Sequence, residues 1–310
     1  MLASIFPVVF SRYLWMSNTD YLLDNVVETD TFISGCKQVG IQNVFLSFNP
    51  QGYAASKAKL QTLLSKLHAN NINPWAADGH RDYFSDVNGP NLLLQGVDNM
   101  LGYNDQVSAN EKFYGFQTDI EVVMGSKDTF HHSIADSKLD ANGGGIWKGS
   151  QLEDRRALLA DWLNTHSIIK GKLAPKGLKL GAAIPWWTND YAGEPLLATF
   201  AGTTENLFTQ TLKVVDEIHI MSYQTDPTSL ISRSEDKFQI LNSNSTIKGC
   251  ASIETLGDSG GPEVSYADST KNNLGVILSD VVLIETALKK YSAFNGICIH
   301  NWDGLRKFIK

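Results

Sequence analysis

Two hydrophobic rhythms alternate along the chain. Short runs rich in β-branched and aromatic residues repeat with a period of two, and longer stretches place apolar residues three to four apart. Residues 12–16 read as a first strand, and polar Ser17 to Asp20 as a helix start. A helix is predicted over 21–38, with Leu22, Val26, Phe32 and Ile33 among its apolar residues and Gly40 ending it. Residues 41–48 form the second strand. A lysine-rich helix over 54–69 carries Leu60, Leu63, Leu64 and Leu67 on one face. The third strand is 72–78, a third helix lies within 90–107, and the fourth strand is 114–122. Residues 124–150 keep no period and hold His131, His132, three successive glycines and Trp147, a long loop read as a lid or a surface insertion. Helices over 152–169, 205–215, 229–241 and 281–291 then alternate with strands over 178–187, 217–223, 248–254 and 294–300, and Asn301 to Asp303 open a terminal helix.

Strands separated by helices pair in parallel, because each helix is a crossover. Eight such units favour a closed (β/α)8 TIM barrel, with a long loop after strand four, over an open doubly wound sheet. Residues 1–310 are expected to form one barrel domain, with 1–10 a lead-in or a degenerate signal segment. No G-x-G-x-x-G follows the first strand and no P-loop occurs, so no nucleotide cofactor is expected.

Composition narrows the partners. The chain is 43% hydrophobic and 19% charged, within the globular range, and its formal net charge is −7. Without a basic tract, nucleic acid and anionic membrane are poor partners. No run approaches the roughly 18 apolar residues of a membrane span. Three cysteines, Cys36, Cys250 and Cys298, show no C-x-x-C spacing, which argues against a disulfide framework or zinc site. Cys250 and Cys298 fall in apolar runs, as small buried hydrophobes.

The candidate chemistry centres on the fourth strand, Tyr114-Gly-Phe-Gln-Thr-Asp-Ile-Glu121. Residues two apart share a strand face, so Gln117, Asp119 and Glu121 form one polar row, with Phe116, Thr118 and Ile120 behind it. Carboxylates so placed are costly unless that face opens onto a site. In a (β/α)8 barrel that site lies at the C-terminal strand ends. Those ends carry Trp15, Asn49, Asp78, His80, Asp119, Glu121, Trp186, Trp187, Tyr223, Gln224, Glu254, His300 and Trp302. Aromatic faces suit the C–H faces of sugar rings, and acids and amides suit hydroxyl groups. The mixture fits an oligosaccharide or polysaccharide better than a phosphate ester. A glycan partner in turn favours a secreted or lumenal setting, compatible with the sequon at Asn244.

The fourth strand resembles the D-x-x-D-x-D-x-E signature of family 18 glycoside hydrolases, the chitinase-like barrels, and Met221-Ser-Tyr-Gln224 resembles that family's M-x-Y-[DN] on strand six. The resemblance implies that Glu121 is the general acid. It implies that Asp119 orients the substrate acetamide and that Tyr223 donates a hydrogen bond to it. Tyr114 and Gln117 replace the first two aspartates, Gln224 replaces an acid or asparagine, and His300, with Trp302 nearby, stands where strand eight normally ends in tryptophan.

Two mechanisms remain open. In one, Glu121 protonates the leaving oxygen and the sugar's own acetamido group attacks, held by Asp119 and Tyr223. In the other, Glu254 at the end of strand seven is a nucleophile paired with Glu121. Two other classes stand beside these. One is a glycan-binding barrel without turnover. The other is a metal-dependent hydrolase using Asp78, His80, His131, His132 and His300, against which the lack of H-x-H on strand one counts. Trp15, Asp78, His80, Gln117, Trp186, Trp187, Gln224, His300 and Trp302 are the expected substrate-binding residues, and no metal is expected.

Overall fold

The computed structural model describes residues 10–47, 53, 56–79, 83, 89–120, 152–191, 194–244, 246–257 and 260–309. Eight parallel strands close into a barrel: β1 Ser11–Met16, β2 Asn43–Ser47, β3 Asn73–Asp78, β4 Gly115–Thr118, β5 Lys179–Pro185, β6 Glu217–Met221, β7 Lys248–Glu254 and β8 Phe294–His300. Each pairs with its sequence neighbours, and β8 closes on β1, with Ser11 opposite Gly296. The expected (β/α)8 TIM barrel is the fold observed. The long loop after strand four, with His131, His132 and Trp147, lies outside the described residues.

Helices cover the barrel: α1 Thr19–Asp24, α2 Val26–Val39, α3 Lys57–Ala69, α4 Gly89–Asn104, α5 Leu152–Leu173, α6 Leu207–Thr211, α7 Pro227–Asn244, α8 Leu274–Leu288 and α9 Trp302–Leu305. The period-of-two pattern sorts side chains into two cores. Outward residues such as Leu14, Val44, Phe116, Ile220 and Ile299 join the helices in one large apolar layer. Inward residues Tyr13, Trp15, Phe45, Trp75, Ala77, Ala183, Cys250 and Cys298 fill the barrel. Leu60, Leu63, Leu64 and Leu67 of α3 are all buried, as their spacing predicts. The three cysteines are free and buried. Among the described residues, no helix is long and apolar enough to cross a membrane.

Three expectations are corrected. The helix predicted over 21–38 breaks at Asn25, whose side chain accepts from Val27 N and Glu28 N and caps a new helix. The break turns Val26 out to solvent at 66% exposure. The helix predicted from Glu205 begins only at Leu207, because Thr203–Asn206 pairs antiparallel with Leu197–Phe200 and the Asn206 side chain caps α6. The helix predicted over 281–291 starts seven residues earlier, capped by Asn273.

One ion pair ties the barrel to its cover. Arg12, on the outward row of β1, forms a bidentate pair with Glu285 of α8 at 3.0 and 3.1 Å and donates to Val39 O of α2 at 2.9 Å. Both side chains are almost wholly buried. Fork-on-carboxylate geometry offsets much of the desolvation such a pair costs.

Candidate active site

The fourth strand delivers its row as its alternation predicts, as far as the described residues reach. Gln117 points into the barrel and is fully buried, and Phe116 and Ile120 join the outer core. Thr118 faces outward and contacts His166 Nε2 of α5 at 2.8 Å, while His166 Nδ1 lies 2.8 Å from Trp162 O. A ring nitrogen facing a carbonyl must carry the proton, so Nε2 accepts from the Thr118 hydroxyl. Burial pushes His166 down to about 4, keeping this ring neutral.

The backbone beyond β4 is pinned from both sides. Asp119 N donates to Asp78 O at 3.1 Å, and Trp162 Nε1 donates to Ile120 O at 3.2 Å. Gly79 permits the first contact, because a Cβ there would lie 2.1 Å from the Asp119 carbonyl oxygen. Asp119 therefore stands at the C-terminal mouth on a rigid support. Its Oδ1 is buried without a hydrogen-bond partner among the described residues. Burial raises its proton affinity above the ordinary carboxylate value, and His300 pulls it back down. Glu121, two residues on, lies outside the described residues, as do Asn49 and His80.

β7 and β8 supply the opposite wall. Their register sets Glu254 directly beside His300, and Glu254 Oε2 lies 2.8 Å from His300 Nδ1. Glu254 Oε1 accepts from Leu256 N at 2.7 Å, so both carboxylate oxygens are engaged. The His300 ring lies 6.2 Å from that of Trp15 and 6.1 Å from that of Tyr223. Glu254, Trp15 and Tyr223, gathered around His300, thus share the C-terminal mouth with Asp119. Cys298, one step deeper, feels both acids, although burial is the main cause of its raised thiol.

The other expected residues divide. Trp186 is 36% exposed at the end of β5, with the Arg233 guanidinium 4.7 Å from its ring centre. Arg233 in turn donates to Tyr223 O at 2.9 Å, linking this tryptophan to the mouth. Trp187 packs half-buried on the outer core, and Gln224 is buried. Asp78 falls on the outward row of β3, where its Oδ2 accepts from Tyr83 at 2.8 Å. Trp302 requires a correction: it is fully buried, edge-on against Phe32 of α2, and cannot serve as a sugar platform. The chain turns into α9 immediately after β8 and carries that ring beneath the helices. Of the residues the metal reading used, Asp78 bonds Tyr83 and His300 bonds Glu254. Among the described residues no cluster of three or more His, Cys, Asp or Glu could hold a metal.

His219 was not singled out from sequence. It lies inside the barrel against Tyr13 and Phe45, and neither ring nitrogen has a partner among the described residues. Burial pushes it down to about 3. Gly181 leaves room for Gln117 Oε1, because a Cβ there would sit 2.1 Å from that atom and 3.6 Å from His219 Nε2. The signal was present: Glu217, His219 and Met221 occupy alternate positions on the row that leads to Tyr223.

Comparison with solved structures places the fold. The chain superposes on a plant class V chitinase mutant from Cycas revoluta, solved in complex with (GlcNAc)3, with a TM-score of 0.55 at 8% identity, covering 96% of this chain and 98% of that one. It matches a chitinase from Chromobacterium violaceum at 0.51 and 12% identity, over 97% and 98% of the two chains. A family 1 β-glucosidase from Thermotoga maritima matches at 0.54 and 8% identity, over 96% and 89%. The fold is therefore a barrel of the kind found in chitinases and other glycosidases, as the resemblance of the fourth strand implies. No protein-family model matches the chain, and no curated protein matches it by sequence.

Proposed function

We propose that this chain is a glycoside hydrolase of the chitinase-like type, one catalytic domain acting on an N-acetylhexosamine-containing glycan, with Glu121 as general acid. The observation that carries the reading is Asp119: a carboxylate with one buried oxygen that has no partner among the described residues, at the C-terminal end of β4, in a mouth flanked by Trp15, Tyr223 and His300. A buried acid oxygen without a donor is costly, and such costs are kept where a ligand supplies the missing partner. The N–H of a substrate acetamido group is such a donor. Asp119 orients that group and Tyr223 binds its oxygen. The acetamido oxygen attacks the anomeric carbon while Glu121 protonates the leaving oxygen.

The two-carboxylate alternative is less well supported. A retaining nucleophile needs a lone pair open to the anomeric carbon, whereas Glu254 is 3% exposed with one oxygen on Leu256 N and the other on His300. Binding without turnover is the second reading. One observation favours it: the Gln117 amide donates to Thr118 O at 3.1 Å rather than to Asp119, so the row lacks a second group to share charge.

The decisive experiment is hydrolysis of an oligosaccharide panel, beginning with N-acetylglucosamine oligomers because a fold relative holds (GlcNAc)3. Turnover should fall by about 100-fold or more in Glu121→Gln. A thiazoline-type inhibitor, which mimics the cyclised intermediate, should bind tightly. Turnover that survives Glu121→Gln overturns the assignment, and tight glycan binding with no turnover in the wild type selects the binding-barrel reading.

A further inference from the structure

The reaction as proposed gives no task to Arg233, yet this side chain is held in place beside the mouth. Trp186 follows β5, Tyr223 follows β6, and Arg233 lies on α7, the helix that comes next. The guanidinium sits 4.7 Å from the centre of the indole, and Nη1 donates to Tyr223 O at 2.9 Å. A ring and a carbonyl thus restrain a side chain that is otherwise rich in rotamers. Arg12 is matched to Glu285, and Arg306 to Glu28 and Asp303. Arg233 has no carboxylate partner among the described residues; the groups that hold it are the indole and the carbonyl. The acids nearest to it in the chain are committed elsewhere. Asp226 accepts from Ser229 N and Oγ at 2.8 Å, Asp236 pairs with Lys237 and Asn189, and Glu235 pairs with Lys290. Arg233 is partly buried, and that burial lowers its proton affinity, as for a cation that has lost water without gaining an anion. With Nη1 on the carbonyl, the edge made by Nε and Nη2 remains, two parallel donors spaced to meet both oxygens of a carboxylate.

We propose that Arg233, held by Trp186 and the Tyr223 carbonyl, is a specificity-determining residue that binds the carboxylate of an acidic sugar at the β5–β6 side of the mouth. The proposal rests on the reading of the mouth as a glycan site. It narrows the substrate to a glycan in which acidic sugars accompany N-acetylhexosamine. A neutral homopolymer offers the guanidinium only hydroxyl groups, which leave its charge unmatched. A carboxylate supplies both the charge and the two-point geometry. Lysine is a point charge without the planar fork, so it cannot reproduce that recognition.

The test is calorimetric binding to the full chain, carrying Glu121→Gln so that no ligand is consumed. The probes are a hexasaccharide alternating N-acetylglucosamine with glucuronate, the same oligomer with its carboxyl groups reduced to alcohols, and an N-acetylglucosamine hexamer sulfated at O6. With Arg233 present, the glucuronate oligomer should bind about tenfold more tightly than its reduced form. Arg233→Gln keeps an N–H for the Tyr223 carbonyl and removes the charge, and should bring this ratio below about twofold. Arg233→Lys should give a value between the two, because the charge remains and the fork is lost. Each ratio compares two ligands on one protein, so a general loss of affinity in a variant cancels. A ratio below about twofold with Arg233 present, or a tenfold ratio that survives Arg233→Gln, overturns the proposal. Should Arg233→Gln fail to fold, Arg233→Lys decides, and an undiminished ratio there overturns the proposal. An Arg233-dependent preference for the sulfated oligomer alone overturns the carboxylate assignment. Binding of all three without discrimination refutes this inference and leaves the glycan reading standing, whereas binding of none refutes both.

Discussion

The two ends of the barrel handle buried carboxylates in opposite ways. At the N-terminal end Glu217 is 4% exposed, yet Oε2 accepts from Tyr13 Oη at 2.9 Å and Oε1 from Lys179 Nζ at 2.8 Å. Asn295 closes the set by donating to Tyr13 Oη at 2.6 Å. At the C-terminal mouth Asp119 keeps a buried oxygen with no donor among the described residues, and Glu254 spends its second oxygen on an ionisable ring. Burial is common to both ends, and satisfaction distinguishes them. A carboxylate with all its acceptors used belongs to the scaffold, and one left short can be completed by a ligand.

The comparison is broken most directly by removing the satisfied acid. Glu217→Ala should cost about 3 kcal/mol in urea unfolding, because it strands Tyr13 and the partly exposed Lys179 ammonium. A loss under about 1 kcal/mol would erase the distinction between the ends.

Acid should sharpen it next. Folded His219 and His166 resist protonation down to about 3 and about 4. Unfolded histidine binds its proton near about 6.5, so the unfolded state gains protons first as pH falls. Stability should be full above that value and decline through the window below it, together by several kcal/mol. Urea midpoints at neutral and mildly acid pH measure this slope, and His219→Gln should flatten it.

Asp119→Asn should act in the other direction. Its folded proton affinity is raised, so the stability it contributes is present below the ordinary value of about 3.9 and lost as pH rises through the folded value. At neutral pH the variant should be more stable than the wild type by about 1 kcal/mol while turnover falls. The gain should vanish in acid. A variant less stable at pH 7 would make Asp119 a scaffold residue like Glu217.

The smallest effect is expected at the rim. Trp186→Ala should change stability by less than about 1 kcal/mol, since the ring is exposed and its partner is a single guanidinium. Glycan affinity, measured calorimetrically, should still weaken several-fold.

Much of this was legible in the chain itself. The alternation of β4 told which residues enter the barrel, and Gln117 and Phe116 lie where it put them. The leucine spacing of α3 marked its buried face. Those signals are local, because side-chain direction in a regular element depends only on position within it. At strand ends the rule lapses. Nothing in Asn301-Trp302-Asp303 says that the turn after β8 drives Trp302 under α2, and nothing near Asp78 announces Tyr83 as its partner. The Thr203–Asn206 ribbon was hidden because its partner strand, Leu197–Phe200, supplies the hydrogen bonds that local propensity could not foresee. Sequence therefore determined the eight strands, their order and their inward rows. Only the tertiary structure decided that Glu254 meets His300, 46 residues away, and that this pair shares the C-terminal mouth with Asp119. The first depends on strand register and the second on barrel closure, and both are set by packing between elements rather than by the periodicity within any one of them.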